Sequence, residues 1–487
     1  MSGTAVTVRA ILLAATAAVT LAPPASADTL RGALADAYQT NPVLTGAREG
    51  QKATNEAVPI AKANGRPDVL GSATYTELFP RSDGTNFTPD RTLNGRADVT
   101  VPLYLGGAVK NAVRAAENRV EAGIAGLRAT ESAIFSAVVG AYMDVIRDEA
   151  IVELNRAQVG VLQVNLEATR DRFEIGDLTR TDVAQSEARL ALATSSMEAA
   201  RANLIRSKEI YIQLVGKVPE ALEAPPPLPN LPDSPDAAVN VALENNPDLI
   251  AAKELRDAAR FDRRGAEASR LPQVTGFGSG SYSNNFGTID SGTLAPFDKT
   301  STSAQVGVRA TLPLYQGGQP AAQIRQAQAR MGQAIEQEIA AEREAIAQTR
   351  AAYASWKASQ DVIAASERAV SANELSLEGT RAENSVGNRT ILDILNAEQE
   401  LLNSKVQLVT ARRNAYVAGF SLLAAMGRAE ARDLGLEGGP LYDPVAEYDA
   451  VKGSWFDWDS IPDPTAKATR TVDTQAQKAE IEPLPKY

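Results

Sequence analysis

The side chains in this sequence that could take part in chemistry are carboxylates, arginines and lysines, because the chain contains neither histidine nor cysteine. A serine–histidine–aspartate triad, a thiol nucleophile and the usual zinc sites are therefore excluded. The carboxylates could serve acid–base catalysis, but most lie among Ala, Arg and Gln at helical spacing, which is typical of a solvated helix face. We therefore expect no enzyme, no metal site and no cofactor.

An internal repeat is the strongest pattern in the chain. The stretch VPLYLGG at residues 101–107 returns as LPLYQGG at residues 312–318. The same offset relates Gly176 to Gly387 and Asp182 to Asp393. A single offset that holds over so long a stretch indicates a duplication.

Both copies have the same internal plan, namely a helical stretch, a β-hairpin, a very long helix and a shorter helix. We predict a signal peptide at 1–27 and a first repeat at 28–222, with hairpin 68–104, long helix 107–175 and helix 180–217. A proline-rich linker at 223–235 leads to the second repeat at 236–428, with hairpin 272–315, long helix 318–386 and helix 390–427. Residues 429–487 are predicted to form a C-terminal equatorial segment, which would lie at the middle of the helical part, and a disordered tail.

The predicted hairpins alternate between apolar and polar residues. In TLNGRADVTVPL, residues 92–103, Arg96 and Asp98 lie on the polar side, and Arg309 does so in the second copy. Period two is typical of a strand with one apolar face, the pattern of an outer-membrane barrel. On this signal alone an ordinary surface hairpin is an equal alternative. A single chain needs about eight or more strands to close a barrel, so four strands would require several chains.

The two quoted stretches are expected to join a strand to a helix. Proline cannot donate to a sheet ladder, so Pro102 and Pro313 should end their strands. Paired glycines then allow backbone angles that are closed to other residues. These glycines are Gly106, Gly107, Gly317 and Gly318.

The regions after the joints are predicted to be long helices that pack against partners. No proline occurs in residues 103–218 or 321–439, and both runs are rich in good helix formers. Apolar residues recur every seventh position, as at Val120 and Leu127, which indicates supercoiled helices. A continuous helix over residues 108–175 would be about 100 Å long.

The N-terminus has the features of an export signal. Arg9 is followed by an apolar run at residues 10–22 and by Ala-Ser-Ala at 25–27, which predicts cleavage before Asp28. The alternative is a membrane anchor, for which the run is short. We expect no transmembrane helix after Asp28. The net charge of −11 argues against a nucleic-acid partner.

These features together resemble the TolC family of outer-membrane channel proteins. The resemblance rests on the paired PLYxGG joints, on RFEIGDLTRTDVAQSEARL at residues 172–190 and on NSVGNRTILDILNAEQEL at residues 384–401. The C-terminal LYDPVAEYDAVKGSWFDW, residues 441–458, is similar to the alphaproteobacterial branch. The resemblance implies an α+β membrane protein: a homotrimer whose twelve-stranded barrel, set in outer-membrane lipid, continues into a periplasmic tunnel of helices.

The family resemblance also implies a function and partners. It implies a passive exit duct for tripartite efflux, type I protein secretion or both. A periplasmic adaptor would open the duct and link it to an inner-membrane ABC or RND transporter. A periplasmic coiled-coil scaffold without channel activity, and an exported enzyme that uses carboxylates, are the alternatives.

Site residues follow from the same resemblance. Asp393 matches a family aspartate of an acidic ring at the periplasmic gate, whereas Asn396 replaces a second one. Arg389 matches a bridging arginine, and its partners on the other helix turn are Thr181 and Asp182. Both aspartates could instead simply be charges favoured at a helix start.

The two helix turns are expected to meet the adaptor, although they could be turns and nothing more. The implied contact residues are Gly176, Leu178, Thr179, Val386 and Gly387. In the C-terminal segment we expect Trp455, Phe456 and Trp458 to be packing anchors, and the residues after Pro464 to be disordered.

Overall fold

The computed structural model describes residues 28–79, 88–229, 231–289, 298–436, 441–459 and 462–479. The predicted signal peptide lies outside these residues. The first repeat contains α1 (Leu30–Thr40), α2 (Pro42–Asn55), α3 (Ala57–Ala63), β1 (Asp68–Glu77), β2 (Arg91–Tyr104), α4 (Ala108–Glu174) and α5 (Arg180–Val215). The second contains α6 (Pro235–Asn245), α7 (Pro247–Glu267), β3 (Gln273–Asn284), β4 (Thr300–Thr311), α8 (Gln319–Ser385) and α9 (Ile391–Ala425), followed by α10 (Pro444–Val451).

The two hairpins form one antiparallel sheet with the strand order β1-β2-β3-β4. Strands β2 and β3 join the repeats, and their register places Arg96 opposite Ser281 and Asp98 opposite Ser279. Among the described residues of one protomer, β1 and β4 each pair along one edge only. The sheet is therefore open on both sides.

The strand-to-helix joints use the predicted glycines. Gly106 and Gly107 have φ of 62° and 83°, and Gly317 and Gly318 have 60° and 83°, which only glycine adopts readily. A Cβ at Gly106 would also lie 2.8 Å from the Cβ of Leu271. In both repeats the second glycine is the N-cap of the long helix.

The expectation that both prolines end their strands is wrong for Pro102. Pro313 lies two residues after the end of β4, but Pro102 lies inside β2, paired with Thr275. The β2–β3 register shifts between Pro102 and Tyr104. This irregularity accommodates a residue that has no N–H to donate.

The long helices α4 and α8 each contain 67 residues, which corresponds to about 100 Å. The seven-residue spacing is confirmed on α4, where Val120, Leu127, Val138, Val145, Val152 and Leu166 are buried. On α8 the corresponding Leu377 is also buried, whereas Trp356, Ile363 and Val370 are only partly buried. Helix α8 thus keeps an open side within one protomer.

Two asparagine caps stack the shorter helices end to end. Asn41 caps α2 through its side-chain oxygen, and its Nδ2 donates to the carbonyl of Leu214 at the end of α5, at 2.9 Å. Asn246 does the same between α7 and α9, donating to Ala425 at 3.1 Å. The main apolar core lies beside these junctions and includes the buried rings of Phe135, Tyr142, Tyr211 and Phe420.

Helix α4 bears on the expectation that no transmembrane helix follows Asp28. By length and composition, α4 contains an 18-residue window apolar enough to cross a membrane, and 44% of that window is buried inside the protein. The window is apolar because α4 packs against α5, α7 and α9. Helix packing is therefore a sufficient reason for its composition.

Candidate functional site: the two helix turns

The α4–α5 and α8–α9 turns have the same backbone geometry. Gly176 and Gly387 adopt φ of 80° and 83°. The N–H of Gly176 donates to Phe173 at 3.0 Å and that of Asp177 to Arg172 at 2.8 Å, which closes the end of α4. Both glycines have open space where a Cβ would be, so a side chain there meets backbone strain rather than a clash.

The shorter helices α5 and α9 begin with matching capping boxes. Thr179 donates its N–H to Asp182 Oδ2 at 2.8 Å and accepts from the Asp182 N–H at 3.3 Å. Thr390 and Asp393 make the same pair of bonds at 2.9 and 3.3 Å. Bonds from the Thr179 hydroxyl and N–H lower the pKa of Asp182, and those from the Thr390 N–H and hydroxyl lower the pKa of Asp393. The T-x-x-D spacing in each turn could have predicted these boxes.

The turns carry ion pairs that sequence analysis missed. In the second turn Arg389 Nε lies 2.7 Å from Glu383 Oε2, and this carboxylate raises the pKa of Arg389. Asn384 Nδ2 also donates to the Arg389 carbonyl at 2.7 Å. In the first turn Arg172 pairs with Asp177 at 2.7 Å. Within one protomer Arg389 is therefore held by its own turn, while Thr181 and Asp182 belong to the other turn.

Polar contacts join the two helix pairs behind the turns. Arg189 on α5 donates to Asn396 Oδ1 on α9 at 2.7 Å. Farther from the turns, Asn165 Nδ2 donates to the buried carboxylate of Glu398 at 3.1 Å, which links α4 to α9. Asn396 thus bonds across the helix pairs through its neutral amide.

The predicted adaptor-contact residues lie at the surface of the two turns. Val386 is 71% exposed, and Gly176, Thr179 and Gly387 are also exposed. Leu178 is partly buried. Ile175, which sequence analysis did not select, is 81% exposed next to Gly176. An exposed aliphatic residue therefore stands beside the turn glycine in each repeat.

A four-stranded sheet with two open edges, continued by long antiparallel helices that end in paired turns, is the architecture expected of an outer-membrane channel protein with a helical extension. The family model described as outer membrane efflux protein matches residues 33–217 and 238–428. The chain belongs to this family, and its place is the outer membrane, with a long periplasmic extension.

Individual relatives agree with this assignment. The outer membrane efflux protein BepC of Brucella suis biovar 1 is 34% identical over 447 residues, which cover 92% of this chain and 95% of BepC. The outer membrane protein TolC of Escherichia coli K12 is 28% identical over 314 residues, or 63% of this chain and 64% of TolC. The crystal structure of VceC from Vibrio cholerae shares the fold with a TM-score of 0.69 at 24% identity, covering 82% of this chain and 96% of VceC. The predicted family and the α+β channel fold are confirmed.

Proposed function

We propose that three copies of the chain form a passive exit duct for efflux through the outer membrane, closed at its periplasmic end and opened by a periplasmic adaptor. The observation that carries the proposal is the open four-stranded sheet joined to two 67-residue helices. Three such sheets supply twelve strands, enough to close a barrel and remove every free edge. The open side of α8 offers a surface on which a neighbouring protomer can pack.

The gate is proposed to lie at the two turns. Asp393 would supply one carboxylate per protomer to a ring of three, whereas Asn396 is neutral and bonds to Arg189. Arg389 would bridge to Thr181 and Asp182 of a neighbouring protomer when the duct is closed. Because Glu383 also holds Arg389, we propose that the arginine has two competing carboxylate partners, Glu383 and Asp182.

The adaptor would dock on the exposed turn residues Ile175, Gly176, Val386 and Gly387. The aliphatic side chains of Ile175 and Val386 suit an apolar contact with a helical hairpin, and the glycines keep the turns short by adopting positive φ without strain. An inner-membrane ABC or RND transporter would then be coupled through the adaptor. The adaptor and the transporter are inferred from the proposed duct, so disproof of the duct would also remove the basis for these partners.

Conductance of purified trimers in planar bilayers tests the proposal. The expected result is an SDS-resistant trimer that forms a small channel, and a deletion strain that becomes sensitive to exported compounds. Recovery of the protein as a soluble, non-conducting species after osmotic shock would instead support the periplasmic scaffold.

A further inference from the structure

The C-terminal segment leaves the main core and runs along α1–α3 of the first repeat towards the sheet. The N–H of Tyr442 donates to the hydroxyl of Tyr38 at 2.9 Å, and Tyr448 packs against the cluster that contains Val58. The Lys62 ammonium then donates to the carbonyl of Lys452 at 2.9 Å. Residues that come later in the C-terminal segment therefore contact later residues of the first repeat, from α1 to the end of α3.

The next described residues, 462–479, contact α2, which precedes α3, and α5. Lys467 lies 3.4 Å from Glu49 on α2, and the N–H of Gln477 donates to Glu209 on α5 at 3.1 Å. Residues 464–479, which we expected to be disordered, thus make contacts with α2 and α5. Among its described residues, the C-terminal segment comes nearest to the sheet within residues 454–459, which we call the aromatic turn.

The aromatic turn lies at the level where the helices meet the sheet. Arg66 Nη1 donates to the carbonyl of Ser454 at 2.6 Å, and the guanidinium carbon of Arg66 lies 4.4 Å from the centre of the Trp455 ring. Asp68, two residues after Arg66, is the first residue of β1. Two residues span at most about 7 Å, so the Arg66 backbone lies next to the first residue of β1, and Trp455 packs on the Arg66 side chain near that end of the sheet.

The aromatic turn exposes its large side chains. Trp455, Phe456 and Trp458 are 58%, 77% and 95% exposed, although side chains of this size usually bury most of their surface. The three were expected to be packing anchors. The structure instead packs Trp455 on a cation and leaves the other two largely uncovered. A cluster of exposed aromatic rings on a protein surface marks a contact with a partner or a membrane.

We propose that the aromatic turn lies in the periplasmic headgroup region of the outer membrane and anchors the C-terminal segment to phospholipid. Tryptophan is enriched at membrane–water interfaces, where its ring is apolar and its N–H remains hydrated. Asp457 and Asp459 alternate with the rings and keep the turn at headgroup depth, out of the hydrocarbon. The contact continues the surface by which the adjacent sheet meets lipid. The proposal depends on the membrane location of the sheet and not on the proposed gate.

The chain has three tryptophans, which makes the test direct. Trp356 packs beside Gly419 and the main core, far along α8 from the sheet. The Trp356→Phe variant therefore emits only from the aromatic turn. The double variant Trp455→Phe/Trp458→Phe emits only from the core and is the matched control. Both are purified as full-length trimers and incorporated into phosphatidylcholine vesicles with or without bromine near the carbonyl ends of the acyl chains.

Bromine quenches tryptophan on contact, so Trp356→Phe should lose most of its emission in brominated vesicles, and the control should lose little. Equal emission of Trp356→Phe in both kinds of vesicle would overturn the proposal and indicate that the rings face the lumen or a neighbouring protein. Conductance and SDS resistance of the same samples show whether the duct has assembled. A failed anchor is thereby distinguished from a failed channel.

Discussion

Glu398 and Arg381 form an ion pair of 3.0 Å between α9 and α8 in which the carboxylate side chain is only 2% exposed. The same carboxylate accepts from Asn165 on α4, so it joins three helices behind the turns. The pair at the matching positions of the first repeat, Arg170 and Glu187, is 2.7 Å long, but both side chains are about half exposed. The duplication therefore kept the ion pair and changed its burial.

This difference predicts unequal effects of neutralising the two carboxylates. Glu398→Gln should destabilise the folded protein by about 1–3 kcal/mol, because a buried charged hydrogen-bond acceptor is lost. Glu187→Gln, the matched control, should cost well under 1 kcal/mol, as exposed ion pairs usually do. Thermal unfolding of the SDS-resistant species measures both. Equal shifts for the two variants would show that burial of Glu398 does not matter.

A second prediction concerns strain and bulk at the turn glycines. Gly387→Trp should abolish export while trimers persist, because a bulky side chain blocks the surface proposed for the adaptor. Gly387→Asn is the control, since asparagine tolerates positive φ better than other side chains and is small. Export assays with trimer gels decide the matter. Export by the tryptophan variant would mean that the site is a turn without a docking role.

The gate proposal predicts that Arg389→Ser combined with Asp182→Ala increases single-channel conductance and antibiotic leakage, because the bridge between protomers is removed. Glu383→Gln should lower conductance, since it frees Arg389 for the bridge. The control is Arg172→Ser, which breaks the exposed pair with Asp177 in the other turn and should leave conductance unchanged. If the double variant has the same single-channel conductance as the wild type in planar bilayers, the gate lies elsewhere.

Asp393 gives a pH prediction. Its hydrogen bonds to Thr390 hold its pKa below the ordinary value of 3.8, so the Asp393 carboxylates of the proposed ring should stay charged above that pH. Any cation preference due to the ring should therefore persist as pH falls to about 4 and decline only below it. The capping contribution to stability follows the same sign: it is present above the unfolded pKa and lost as pH falls through the folded one.

Reversal potentials measured across a salt gradient test this prediction. Asp393→Asn should change ion selectivity at neutral pH and remove its acid dependence, with little change in conductance. A wild-type preference that disappears near neutral pH would assign the selectivity to other groups.

The last prediction concerns which side chains of β2 face lipid and which face the inside of the proposed barrel. Arg96 and Asp98 form a 2.6 Å ion pair on one face of β2, and Ala97 between them points to the other face. Ala97→Arg should place a charge against lipid, cost about 2–4 kcal/mol at mid-bilayer depth and impair assembly. Thr100→Arg, on the same face as Arg96, should be tolerated. The yield of heat-modifiable trimers in outer membranes measures both variants. Normal insertion of Ala97→Arg would reverse the assignment of the lipid-facing and lumen-facing sides of β2.

The sequence by itself determined the duplicated plan and the approximate ends of the hairpins and of α4, α5, α8 and α9, but it treated the start of each repeat as one helical stretch, which the structure divides into α1–α3 and α6–α7. Long runs without proline fixed α4 and α8, and strict alternation fixed β2 and β4, because these features depend on neighbouring residues along the chain. The glycine turns and the strand-to-helix joints were found for the same reason. Even the capping boxes had a local signal in the T-x-x-D spacing.

Only the tertiary structure decided which distant side chains meet. The bonds of Glu398 to Asn165 and of Asn396 to Arg189 depend on how one helix is rotated against another, and helical periodicity specifies a face rather than a partner. The path of the C-terminal segment depends on donations from Lys62 and Arg66 to backbone carbonyls. Every residue offers a carbonyl, so such contacts leave no pattern of residue types, and the position of Trp455 beside the sheet could be learned only from the folded chain.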